Sequence, residues 1–115
     1  MLKRAYRLSS NFEINVTRKY GKKASGAYFH IFYLNPYNYI GNTKFAIVIS
    51  NKFDKSAVRR NKVKRIYREI IRLNLDKIKD GFWIVIHPRF HSITKTYDEL
   101  STDFVKTIQT LPIAK

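Results

Sequence analysis

Ala57-Val-Arg-Arg-Asn-Lys-Val-Lys-Arg-Ile-Tyr-Arg-Glu-Ile-Ile-Arg-Leu-Asn74 is the stretch that decides the architecture of this chain. At roughly 100° per residue, Val63, Ile66, Tyr67, Ile70 and Leu73 gather on one side of a helix. Arg60, Asn61, Lys64, Arg65, Arg68 and Arg72 gather on the other. A solvated helix face ordinarily mixes both signs through i,i+4 pairs. Here Arg60, Lys64 and Arg68 repeat one sign at that spacing, and only Glu69 interrupts the bases. A helix that tolerates such repulsion is expected to face a polyanion. Arginine offers phosphate a planar fork and lysine a point charge, and a mixture suits folded RNA.

The flanking segments fill in the remaining elements. Ser10-x-x-Glu13 is a capping-box pattern and predicts a first helix from about Asn11 to Tyr20, ended by Gly21. Two faces compete on it: Phe12, Val16 and Tyr20 on one, Ile14 and Thr17 on the other. Ala24–Leu34 reads as strand from its aromatic and β-branched residues. Asn35–Asn42 has the Pro, Gly and Asn of a hairpin loop. Thr43–Ser50 reads as a strand buried on both faces. After the basic helix, Asp76–Gly81 closes the element, and Phe82–Ile86 reads as another buried strand ended by His87-Pro88. Thr96-x-x-Glu99 is a second capping box. Leu100, Phe104, Ile108 and Leu111 follow it at helical spacing, and Pro112 stops the helix. The sequence predicts an α+β fold in which a single sheet packs with helices, in the order α-β-β-β-α-β-α.

The chain has 115 residues, 23 Lys plus Arg and 8 Asp plus Glu, for a net charge of +15. That length fits one domain, 1–115. Residues 1–23 carry +6 and residues 52–72 carry +7, so two short segments hold nearly all of the excess. Clustering of this kind marks a binding surface. There is no cysteine, which excludes disulfide scaffolds, thiolate zinc sites and cysteine nucleophiles. No secretory signal and no apolar run of membrane-spanning length is visible, and a cytoplasmic protein with no membrane partner is expected. His30, His87 and His91 lack metal-ligand spacing, because Pro88 interrupts the only helical candidate. No carboxylate pair stands beside the basic helix to hold two metals or to act as acid and base. Seventeen aromatics include Tyr28, Phe29, Phe32 and Tyr33, which alternate along one strand. One set of them is free to act as a stacking platform for single-stranded bases while the other enters the core.

Arg60-Asn61-Lys62-Val63-Lys64-Arg65-x-x-Arg68, preceded by Ala57-Val58 and by the strand end Ile49-Ser50-Asn51-Lys52, resembles the signature of the bacterial ribonuclease P protein subunit. Ala5-Tyr-Arg-Leu8, Gly21 and Thr96-Tyr-Asp-Glu99 extend the resemblance over nearly the whole chain. Lys62 stands where the family's triplet has a third arginine or its like. Phe53-Asp-Lys-Ser56 replaces a more usual Gly-Asn turn. Gapless alignment from Ala5 to Gly21 puts Ile14 and Arg18 at the family's aromatic first-helix places, with Phe12 and Val16 out of register.

The resemblance implies a ribonucleoprotein whose RNA subunit, with bound Mg²⁺, removes the 5′ leader from precursor tRNA. It implies no catalytic residue and no confidently held metal on the protein. It assigns Lys52, Arg59, Arg60, Asn61, Lys62, Lys64, Arg65 and Arg68 to binding the RNA subunit. Phe12, Ile14, Arg18, Phe32, Arg60 and Lys64 are assigned to the single-stranded leader. It further implies a left-handed β-α-β crossover, against the general right-handed rule. Ribonuclease P RNA and precursor tRNA are the implied partners, with no obligate protein partner. The alternatives are a basic ribosomal or RNA-chaperone module without an enzymatic partner, and a protein-only nuclease, which the missing carboxylate cluster argues against.

Overall fold

The computed structural model describes residues 2–49, 52 and 54–115. Its main elements are α1 (Asn11–Tyr20), β1 (Lys22–Ser25), β2 (Phe29–Leu34), β3 (Lys44–Ile47), α2 (Ala57–Leu73), β4 (Trp83–Pro88) and α3 (Tyr97–Gln109). The order α-β-β-β-α-β-α is therefore the observed one, with its first two strands, β1 and β2, spanning the region read as the single strand Ala24–Leu34. The caps explain the helix starts. Ser10 and Ser56 each accept the amide of the third helical residue, and Thr96 with Glu99 completes a reciprocal capping box.

The sheet order is β1-β2-β4-β3. β4 runs antiparallel to β2 and parallel to β3, so the last strand in sequence is inserted between two earlier ones. Two expectations change as a result. Asn35–Asn42 does turn the chain, with Asn38 at φ 59, but it joins strands that are not neighbours and so is no hairpin. Turn chemistry is local, whereas strand pairing is decided by distant apolar residues. Second, Ala24–Leu34 is a true hairpin of two strands rather than one strand. Gly26 N–H bonds Phe29 O, and the Asp103 carboxylate of α3 accepts the amides of Ala27 and Tyr28 at 2.8 and 3.0 Å.

Each face of the sheet is covered. Phe29, Ile31, Phe45, Ile84 and Ile86 face α2 and α3, where they meet Val63, Tyr67, Ile70, Leu100, Phe104 and Ile108. Each such side chain contributes about 1.5–3 kcal/mol by leaving water. Leu73 is 53% exposed, however, and Ile71 is buried in its stead, since the helix ends as it leaves the sheet. The opposite face carries a smaller cluster of Leu8, Ala46 and Val85, with Ile14, Phe32, Val48 and Trp83 packed on it beneath α1. The Ile14/Thr17 face of α1 is the one turned to the sheet. Thr17 is buried, and Phe12 and Tyr20 are 72% and 67% exposed.

The crossover hand follows from chirality. In an extended L-residue whose side chain faces the viewer while the chain runs upward, N–H and C=O point right. Val48 lies on the α1 face, and its N–H bonds Ile86 O of β4. Seen from the α2 side, β4 therefore lies to the left of an upward β3. The connection β3-α2-β4 is left-handed.

Residues 83–88 also correct the predicted Phe82–Ile86 strand, which runs on through His87 and Pro88. Pro88 stands opposite Phe29, while Arg89 N–H bonds Tyr28 O. Proline thus occupies a pair that exchanges no hydrogen bonds, and the ladder loses nothing. Of the predicted Thr43–Ser50 strand, Lys44–Ile47 is regular, and Ser50 lies outside the described residues.

Gly21 closes α1 against β2. A β-carbon there would sit 2.4 Å from Thr17 O and 2.8 Å from Tyr33 O, both backbone atoms. Its φ of −73° suits any residue, so the constraint is space alone. Gly21→Ala is predicted to cost about 2 kcal/mol by forcing helix and strand apart. Denaturant unfolding reads this directly, and an unchanged midpoint would contradict the packing.

Candidate nucleic-acid interface

The outward side of α2 is the first part of the site. Arg59, Asn61, Lys62 and Arg65 are exposed on it, and Arg60, Lys64 and Arg68 are half-buried along its flank. Lys52 is exposed in the loop before it. The apolar side is locked into the core by Val63, Tyr67 and Ile70, so the basic side cannot rotate away. Burial pushes the Tyr67 phenol well above its ordinary pKa, as expected for an anchor with no access to water.

Asp54 organises the start of this helix. Its Oδ1 accepts the Ser56 amide at 2.7 Å, its Oδ2 pairs with Arg59 at 3.3 Å, and its carbonyl accepts from the Arg60 guanidinium at 2.5 Å. One residue thus aims two arginines. The replacement of the family's Gly-Asn turn, noted in the sequence, here has a structural use at Asp54. Phe53 lies outside the described residues.

Arg68 links this surface to the other face of the sheet. With Arg7 it borders a hollow of about 220 Å³ at the outer edge of β3, where Leu8 N–H bonds Phe45 O; Leu8, Ile14, Ala46 and Ile47 are among its lining. Beyond that edge lies the second part of the site, the α1 face. Register sets its side chains in rows. Lys23, Phe32, Val85 and Ala46 form one row across the sheet, and Ser25, His30 and His87 form the next. The Phe32 ring is half-buried, edge-on to His87 at 5.6 Å and 77°, with Lys23 Nζ 5.8 Å from its centroid.

Of the sequence-assigned leader residues, the structure brings Ile14 and Phe32 into one cluster. Arg18 stands exposed on α1, near enough to act electrostatically on His87. Phe12 packs in neither cluster and points to solvent. Arg60 and Lys64 stay on α2, on the other side of the sheet. Sequence reasoning missed Lys23, His30 and His87. The alternation His30-x-Phe32 and Val85-x-His87 would have placed them, had Pro88 not suggested that the strand ends early.

Two histidines, His30 and His87, are held toward the neutral form. Burial first, then Arg18, His30 and Lys23, lowers the His87 pKa to about 4. Burial, then Lys23 and Arg89, lowers that of His30. Three carboxylates near the basic surfaces are engaged. Asp54 holds Arg59, Glu69 pairs with Arg72, and Asp103 caps the β1–β2 turn. Among the described residues no three of His, Asp and Glu gather into a metal-binding group.

Comparison with known proteins shows the family and the fold. A family model described as Ribonuclease P matches residues 2–112. The ribonuclease P protein component of Finegoldia magna is 35% identical over 99 residues, covering 86% of this chain and 84% of that protein. That of Clostridium kluyveri is 32% identical over 107 residues, covering 90% and 92%. Among solved structures, the Thermotoga maritima RNase P protein superposes with a TM-score of 0.79 at 28% identity, covering 91% of this chain and 96% of that one. The Staphylococcus aureus protein shares the fold at 0.85 and 22% identity, covering 97% and 100%. No helix among the described residues is long and apolar enough to cross a membrane.

The depressed His87 pKa makes a stability prediction. Between about pH 6.5 and 4 the unfolded chain takes up a proton that the folded chain refuses. Stability therefore falls as pH drops through that window. His87→Gln should remove a part of the fall on the order of 1 kcal/mol, read as a flatter melting temperature against pH. An identical profile in the variant would contradict the placement of the ring.

Proposed function

The chain belongs to the ribonuclease P protein family, and from that premise we propose how its two surfaces serve the enzyme. Ribonuclease P removes the 5′ leader of precursor tRNA, and this chain is a protein subunit of that endoribonuclease, in which RNA carries the catalysis in bacteria. Its partner is the ribonuclease P RNA.

We assign binding of that RNA to the α2 surface of Lys52, Arg59, Arg60, Asn61, Lys62, Lys64, Arg65 and Arg68. The observation that carries this is the one-signed face of α2, held outward by the buried Val63, Tyr67, Ile70 and Ile71. We assign the single-stranded leader of precursor tRNA to the α1 face, with Phe32 as the base-stacking ring, Ile14 beside it and Arg18 at the rim. A leader has unstacked bases, which a half-buried aromatic flanked by a lysine can accept. Arg68 and Arg7 border one hollow at the β3 edge, and we take them as the path for phosphates between the two surfaces. Arg60 and Lys64 would reach the leader from the α2 side of that path.

Magnesium is placed mainly on the RNA. This placement is favoured by Asp54 and Glu69, the carboxylates beside the basic helix, each pairing with an arginine. Bound Mg²⁺ would supply charge neutralisation and activation of the attacking water. The protein's own cations lower the phosphate repulsion that opposes substrate and ion binding alike. We place this activity in the cytoplasm.

Two substitutions separate the surfaces. Arg68→Ala should weaken binding to the ribonuclease P RNA and lower the slope of log K against log salt by about 1. Phe32→Ala should cost about 1–3 kcal/mol in affinity for leader-bearing precursor and little for mature tRNA. An unchanged slope would remove Arg68 from the phosphate contacts. Equal losses for both tRNAs would make Phe32 a core residue only.

A further inference from the structure

The row Ser25, His30, His87 has no part in the roles assigned above. His30 and His87 are direct partners across β2 and β4, so two imidazoles stand side by side on a face that is otherwise mostly apolar. Ser25 Oγ and His30 Nδ1 share a hydrogen bond of 2.7 Å, which fixes that ring. His87 Nε2 is shut off from water and has no hydrogen-bond partner. A buried polar atom left unpaired is destabilising, so the fold leaves an interaction open here that a ligand can complete.

The charges facing the pair are all of one sign. Arg18 comes from α1, Lys23 from β1 and Arg89 from the end of β4. The β3 side presents Val48, which is apolar. No carboxylate acts on either ring among the described residues. Three cations around two neutral imidazoles suit an anion, and Phe32 stands edge-on to His87 with Lys23 over its face. An anion joined to a stackable base meets both features, whereas a free anion would leave the ring unused.

We propose that His30 and His87, with Arg18 and Lys23, form a subsite for a phosphodiester of single-stranded RNA. This rests on the reading of the α1 face as the leader surface and adds to it the groups that grip the backbone. Arg18 and Lys23 draw the phosphate to the pair, where it completes the open interaction of His87 Nε2. The arriving negative charge reverses the electrostatics that kept the rings neutral, and the imidazole pair takes up a proton from solvent. Leader binding at this subsite therefore tightens as pH falls.

The test uses the reconstituted holoenzyme and compares precursor tRNA carrying a short leader with mature tRNA. The ratio of the two affinities cancels the contacts of α2 and of the RNA subunit. In the wild type this ratio should rise about tenfold from about pH 7.5 to about pH 5.5, as expected for a bound-state pKa in the ordinary histidine range. In His87→Gln it should stay flat. Lys23→Ala, at an exposed side chain that the fold does not need, should lower the ratio several-fold at every pH. A leader-dependent ratio that does not change with pH, or that His87→Gln and Lys23→Ala leave intact, overturns the subsite and leaves the leader reading standing. A ratio of one at every pH overturns the leader reading and the subsite with it.

Discussion

The structure depends on β4 entering between β2 and β3. That strand pairs antiparallel with β2 along its whole length and parallel with β3 from Trp83 to Ile86. Its alternation then supplies both cores: Ile84 and Ile86 face α2 and α3, and Val85 lies beneath α1. Parallel pairing with β3 obliges the chain to cross over the sheet before returning, and α2 is that crossover. The helix that carries the basic surface is thus also the connection that closes the sheet. Its apolar side cannot leave the core without opening β4, so its charged side has one orientation.

Electrostatic repulsion along α2 is the cost of this arrangement. Like charges at i,i+4 destabilise an isolated helix by a few tenths of a kcal/mol per pair. Burial of Val63, Tyr67, Ile70 and Ile71 outweighs this several times over. The surplus lets the outer face be tuned for a polyanion rather than for its own stability. Asp54 shows the same division of labour. Its carboxylate aims Arg59 and its backbone carbonyl aims Arg60.

Much of this was legible in the sequence where the determinants are local. The three helices start at the caps predicted by Ser10 and Thr96 and by the periodicity after Ser56. The element order also follows from pattern alone. What was not legible is non-local. Nothing within Asn35–Asn42 reveals that β4 will separate the strands on either side of it. The hand of the crossover was likewise implied by family resemblance only. At the site, the basic helix is read from its own spacing, because every residue in it lies on one element. The α1 face is assembled from four elements, and only register brings Lys23, Phe32 and His87 together. The family resemblance assigned Phe12 to that face along with Ile14, but α1 turns Ile14 and Thr17 inward, and Phe12 points to solvent.

The central claim is that this protein supplies binding surfaces and its RNA partner the chemistry. Cleavage of precursor tRNA, followed against Mg²⁺ concentration with protein alone, ribonuclease P RNA alone and both together, tests it most directly. The account predicts no cleavage by the protein alone, and a lower Mg²⁺ requirement for the RNA when the protein is present. Cleavage by the protein without RNA, or an Mg²⁺ requirement that the protein leaves unchanged, would contradict it.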